Sequence, residues 1–140
     1  MTLDRLLGTW DITMHHVAMT EPVTGRQHYE PVLADAFVML RWTYEHPDFP
    51  DAIALLDDST CHYFDVRGVT RLFELTLDAS GWSMIRRDRD FWQRSAGRFV
   101  GPDLMEGTGE NSHDGGVTWE HDYALSYVRA GHKGPAGESG

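Results

Sequence analysis

Eight histidines are distributed along the 140 residues, and three of them, His16, His62 and His121, fall in stretches where polar and apolar residues alternate. A half-buried imidazole in such a stretch is suited to moving a proton near neutral pH or to touching a bound molecule. The others have plainer settings: His46 and His113 stand in turn sequences, His132 in a polar tail, and His15 and His28 on faces expected to meet solvent. Because His15 and His16 are adjacent on one extended segment, their rings point to opposite faces and cannot hold one ion together. A centre built from His16, His62 and His121 has no metal-binding spacing behind it, and no metal is expected. Nucleophilic catalysis fares no better. Cys61 is the sole thiol, its neighbour His62 projects the other way, and no Gly-x-Ser-x-Gly elbow occurs. Cys61 reads as a small buried hydrophobe, and being alone it excludes an intramolecular disulfide. The remaining candidates for catalysis are acid–base groups: His16, His121 and Tyr123.

Short strands must position these groups. The chain alternates with a period of two and is punctuated by Gly, Asp, Asn and Pro at short intervals, an all-β pattern. Strands are expected near 9–19, 27–33, 36–45, 52–57, 61–66, 69–78, 82–88, 91–100, 103–110 and 117–129, with a short helix over Leu3–Leu7 before the first. The links carry turn chemistry (Ala34-Asp35, Asp57-Asp58-Ser59, Arg67-Gly68, Ala79-Ser80-Gly81, Gly101-Pro102-Asp103), and links this short join neighbours antiparallel. An open sheet of that size exposes two edges, which closure into an up-and-down barrel removes. Some eight-stranded barrels already hold one small ligand, so a barrel of about ten strands is expected to enclose a cavity.

Parity then assigns the interior. With Trp10 inward, Ile12, Met14, His16 and Ala18 share its face, and counting back from Arg129 sends Tyr127, Leu125, Tyr123, His121 and Trp119 inward. Elsewhere the more apolar rows are Val38, Leu40, Trp42 and Tyr44; Val69, Arg71, Phe73, Leu75 and Leu77; Trp82, Met84 and Arg86; and Phe91, Gln93, Ser95 and Phe99. Segment 61–66 offers either Cys61, Tyr63 and Asp65 or His62, Phe64 and Val66. The expected ligand-lining set is Met14, His16, Leu40, Trp42, Tyr44, His62, Phe73, Trp119, His121 and Tyr123. A β-bulge anywhere would reverse the assignments beyond it.

Leu7-Gly8-Thr9-Trp10 at the first strand and Tyr127-Val128-Arg129 at the last resemble the Gly-x-Trp signature of the calycin barrels: lipocalins, fatty-acid-binding proteins and nitrobindins. The resemblance implies that Gly8, Trp10 and Arg129 are structural, the indole closing the barrel base with the guanidinium packed over it, a contact worth about 0.5–2 kcal/mol. Ser112 to Tyr123, with its Asp114-Gly115-Gly116 and Trp119, is similar to the penultimate hairpin of an uncharacterised bacterial lipocalin-like family, and Arg98-Phe99-Val100-Gly101 fits the same family. Nitrobindins follow the Trp with further glycines, where this chain has Asp11-Ile12-Thr13-Met14. The expected cofactor is therefore none; a nitrobindin-like haem would take His121 as its axial ligand.

Composition narrows the partners. With 22 acidic against 12 basic side chains and a net charge of -10, the averaged field repels phosphate, and nucleic acid is not an expected partner. No apolar run approaches the roughly 20 residues a membrane-crossing helix requires, and the N-terminus lacks a secretory pattern, so a cytoplasmic protein is expected. One lipocalin-like domain over 1–129 and a disordered tail over 130–140 are anticipated, with a homodimer as a possible assembly. The functional expectation is a small hydrophobic or aromatic molecule bound in the cavity. The alternatives are a barrel enzyme of cyclase or isomerase type using His or Tyr, and haem binding.

Overall fold

Residues 2–131 are described by the computed structural model. A 3-10 helix, Thr2–Leu6, precedes ten antiparallel strands: β1 Gly8–His16, β2 Val23–Val32, β3 Phe37–Tyr44, β4 Ala52–Leu56, β5 Thr60–Asp65, β6 Thr70–Leu77, β7 Gly81–Arg87, β8 Trp92–Gly101, β9 Leu104–Ser112 and β10 Glu120–Arg129. Each pairs with its sequence neighbours, and β1 pairs with β10, so the sheet closes into a barrel with no free edge. No helix among the described residues is long and apolar enough to cross a membrane. Ala130 still donates its backbone N–H to Thr9 O at 2.8 Å; the rest of the expected tail from 132 onward, His132 included, lies outside the described residues.

The turns explain why the chain reverses where it does. At the pole where β1 starts and β10 ends, hereafter the base, two hairpins use the same device. Asp57 Oδ1 accepts the backbone N–H groups of Ser59 and Thr60 at 2.9 and 2.8 Å, and Asp78 Oδ1 accepts those of Ser80 and Gly81 at 2.8 and 3.1 Å. Donors that the turn leaves without a ladder partner are thereby satisfied. These bonds hold both carboxyls below their ordinary pKa, the Ser59 backbone N–H contributing most at Asp57 and the Ser80 hydroxyl at Asp78.

The base is sealed. Trp10 stands opposite Arg129 in the β1–β10 ladder, with the guanidinium carbon 4.2 Å from the ring centroid. Trp10 is 0% exposed, as is Leu3 of the helix beneath it, and its indole N–H donates to Leu6 O at 2.9 Å. Gly8 has φ +107, a backbone conformation that favours glycine, and a Cβ there would crowd Arg129 Nη1 at 3.1 Å. Arg5 lies over Phe99 at 3.9 Å and donates to Ala79 O, covering the far side.

Three strands differ from expectation. β2 begins at Val23, four residues before the expected start at 27, its first residues pairing with Ile12–Met14 of β1. β1 stops at His16, so Ala18 lies in the following loop, its N–H donating to His16 Nδ1 at 3.0 Å. β10 begins at Glu120 and carries a bulge: His121 pairs with Glu110 and Tyr123 with Gly109, leaving Asp122 as the extra residue.

Candidate ligand-binding cavity

Above the sealed base the interior holds two adjoining chambers that share Leu40, Trp42, Cys61, Met84, Ser95 and Tyr123. The lower has a volume of about 100 Å³ and the upper, nearer the mouth, about 180 Å³. Alternation of inward apolar residues builds the walls, and glycines make the space. A Cβ on Gly109 would come within 2.2 Å of the Tyr123 ring, and one on Gly97 within 2.4 Å of Trp82, so two bare positions on β8 and β9 admit two inward rings.

All five tyrosines of the chain belong to this interior: Tyr29, Tyr44, Tyr123 and Tyr127 line the lower chamber, and Tyr63 joins Tyr123 in the upper one. Burial disfavours the phenolate and raises each of their pKa values, with Tyr63 and Tyr123 pushed up to about 12. Near neutral pH these groups are therefore uncharged hydrogen-bonding groups. Tyr29 donates to Gln27 Oε1 at 3.0 Å, and Tyr63 donates to Asp65 Oδ2 at 2.6 Å. Asp65 also receives Arg67 Nη2 at 2.6 Å, and these bonds, with Arg67 first, hold its carboxyl well below the usual range. Cys61 faces both chambers as a neutral thiol, burial pushing it up to about 12.

Leu40, Trp42, Tyr44, Phe73 and Tyr123 line the chambers where parity put them. Met14 is buried on the interior face without lining either chamber, and His16 sits at the rim. There His16 Nε2 is 3.1 Å from Asp122 Oδ1, and the ring lies against Phe49 at 5.3 Å. With Nδ1 accepting from Ala18 and Nε2 facing the carboxylate, both ring nitrogens are engaged.

Three expected lining residues lie elsewhere. His121 is exposed, because the bulge at Asp122 inverts the parity counted back from Arg129. The same bulge turns Asp122 toward His16, and Val17 N–H donates to Asp122 O at 3.0 Å. Trp119 precedes the strand and stacks beneath Arg94, 3.9 Å away, beside Trp92. His62 is exposed and stacks on Phe64 at 4.5 Å, since in β5 it is Cys61, Tyr63 and Asp65 that turn toward the interior. Gln27, Tyr29, Tyr63, Gln93, Ser95 and Asp122 also line the cavity, outside the ligand-lining set that parity predicts. The Gln27-x-Tyr29 alternation in β2 and the paired Gly107-x-Gly109 in β9 were the available signals.

Haem does not fit these residues. Among the described residues no histidine lines either chamber, His121 faces away, and a volume of about 180 Å³ is that of a benzene-sized site. No three His, Cys, Asp or Glu side chains among the described residues gather as a metal site requires.

Comparison with known proteins agrees with the geometry at the level of the fold. The barrel is similar to an S-type phycobiliprotein lyase, CPES, from Guillardia theta, with a TM-score of 0.57 and 13% identity over 94% of this chain and 92% of the lyase. It is also similar to a protein of unknown function from the DUF3598 family of Nostoc punctiforme, with a TM-score of 0.60 and 15% identity over 93% of this chain; the match spans about half of that protein, 49%. No family model and no curated protein sequence matches. The chain has the fold of the calycin, lipocalin-like barrels.

Proposed function

We propose that the barrel binds a small, largely apolar or aromatic molecule in its interior. The observation that carries this reading is the set of five tyrosines and Trp42 around a two-chambered cavity. Apolar walls supply the affinity, and a few neutral hydroxyls fix the orientation of the ligand. Chambers of about 100 and 180 Å³ set the size: a single-ring compound enters the upper one without rearrangement.

Acid–base turnover of the cyclase or isomerase kind works best with a cavity group whose pKa lies near the working pH. Tyr123 holds its proton up to about 12, His121 is exposed, and His16 is bonded on both sides at the rim. Binding is therefore better supported than catalysis, and a shared fold with a lyase does not transfer that activity.

The test uses Trp42 and Trp82, both in the cavity wall, as reporters. Titration with benzamide should change tryptophan emission saturably. Leu40→Phe, which pushes a ring into both chambers, should abolish the saturable change while the protein still unfolds cooperatively. A linear, non-saturating response of the native protein would sink the reading.

A further inference from the structure

Between β6 and β7 the barrel wall parts toward the mouth. Their ladder runs from Leu77↔Trp82 to Glu74↔Ile85 and stops. Beyond it β6 remains paired only to β5, and β7 only to β8. The resulting cleft, about 470 Å³, has Arg71 and Phe73 on one side and Arg86 and Asp88 on the other. Arg87 and Glu74 form an ion pair across its lower end.

Two guanidinium groups converge at this gap. Arg71 Nη1 donates to Gln93 Oε1 at 3.0 Å, and Arg86 Nη1 donates to the same oxygen at 3.3 Å. A guanidinium has only donors, so one neutral amide oxygen faces two cations. The carboxylates around them are committed: Asp88 to Arg86 at 2.9 Å, Glu110 to Arg94 at 2.7 Å, Asp65 to Arg67 at 2.6 Å and Asp122 to His16 at 3.1 Å. Arg71 has no carboxylate partner among the described residues, although the chain has 22 acidic side chains. Arg71 and Gln93 also line the upper chamber, together with Phe73 and Trp42.

We infer that Arg71 and Arg86 form an anion subsite at the top of the cavity, and that the ligand is a small aromatic or apolar acid. Its carboxylate takes the place between the two guanidiniums now held by Gln93 Oε1, and its apolar body enters the upper chamber beside Phe73 and Trp42. This rests on the reading of the barrel as a small-molecule binder and adds the chemical class. A carboxylate offers two charged acceptors where the amide offers one neutral oxygen, and charge-assisted bonds to guanidinium are about twice as strong as neutral ones. The Gln93 amide oxygen holds the two cations in register.

The experiment compares benzoate, its neutral isostere benzamide, and inorganic phosphate as probes of the full chain, following tryptophan emission and the Arg Nε–H resonances. Benzoate is expected to bind about tenfold more tightly than benzamide and to shift the Arg71 and Arg86 signals, with phosphate far weaker than benzoate. Arg71→Gln should remove the preference, bringing the ratio of benzoate to benzamide affinity to about one. Gln93→Glu should do the same by supplying an internal carboxylate to both arginines, and it carries the test if Arg71→Gln fails to fold. Equal, saturable binding of benzoate and benzamide overturns the subsite and leaves the cavity reading standing. Binding of neither overturns both. Phosphate binding as tightly as benzoate overturns the assignment of an acid with an apolar body.

Discussion

The base and the mouth of the barrel are both furnished with arginines and aromatic rings, and they use them in opposite ways. At the base, Arg129 lies over Trp10 and donates to Leu7 O at 2.6 Å, Arg5 O at 3.0 Å, Pro102 O at 3.3 Å and Asp103 Oδ1 at 2.9 Å. Nearly every donor of that fork has an acceptor, so nothing is left to recognise a ligand. At the mouth, Arg71 and Arg86 share one amide oxygen, β6 and β7 have separated, and the rings enclose space instead of filling it. A saturated cation over a ring holds the fold together, whereas an under-used one beside a cavity is free to recognise. Stability and binding should therefore respond to different residues.

The largest effect expected is loss of the whole fold in alkali. The five interior phenols have pKa values raised by burial, Tyr63 and Tyr123 to about 12, against about 10 in an unfolded chain. A group whose folded pKa is raised holds its proton more tightly when folded. Its stabilisation is complete below about pH 10 and drains away as pH rises toward 12. Tyrosine absorbance near 295 nm should thus stay flat through pH 10 and then rise steeply, together with loss of the β-sheet circular dichroism signal. Independent ionisation of the tyrosines at about pH 10 with the sheet intact would show that the phenols are not enclosed.

Next in size is Trp10→Ala at the base. The indole is 0% exposed, donates to Leu6 O and underlies Arg129. Its removal should cost about 3–5 kcal/mol in urea unfolding, while benzamide affinity of the protein that remains folded stays within about twofold. Gln93→Ala at the mouth should show the reverse, a small change in unfolding midpoint and a clear change in ligand preference. If Trp10→Ala alters affinity as much as it alters stability, the two poles are not separable.

The reach of the sequence follows the same division. Trp10, Ile12 and Met14 on β1, and Leu125 and Tyr127 on β10, were legible because an uninterrupted alternation propagates from one anchored residue. The Trp10–Arg129 pair was legible through the resemblance of Gly8-Thr9-Trp10 and the closing Arg129 to the calycin signature, and the guanidinium lies 4.2 Å from the ring centroid. What failed lies beyond a break in the ladder. One extra residue, Asp122, sends His121 outward, and its cause is a partner far away in the chain: His16 and Val17 bind Asp122. His62 failed for a different reason. Its segment had two comparably apolar faces, and pairing with β4 and β6, not composition, decided between them. The parting of β6 from β7 leaves no trace in composition, so the convergence of Arg71 and Arg86 was invisible before the fold was known.

The smallest effect tests the backbone of the two poles. The mouth hairpin between β5 and β6 places Gly68 at φ +81, which glycine tolerates without strain. The base hairpin between β2 and β3 instead puts Leu33, Ala34 and Asp35 at φ 54, 55 and 67, three consecutive left-handed residues with no glycine among them. Each non-glycine residue there costs about 1–2 kcal/mol of local strain. Ala34 is exposed, so Ala34→Gly removes a Cβ without disturbing packing. The strain relieved is partly offset by the greater freedom glycine gives the unfolded chain, leaving a gain of about 0.5–1 kcal/mol in urea unfolding. Gly68→Ala should lose a similar amount, with benzamide affinity unchanged in both. If Ala34→Gly instead destabilises the protein, the β2–β3 turn does not have this left-handed geometry, and the base stores no strain for its tight packing to offset.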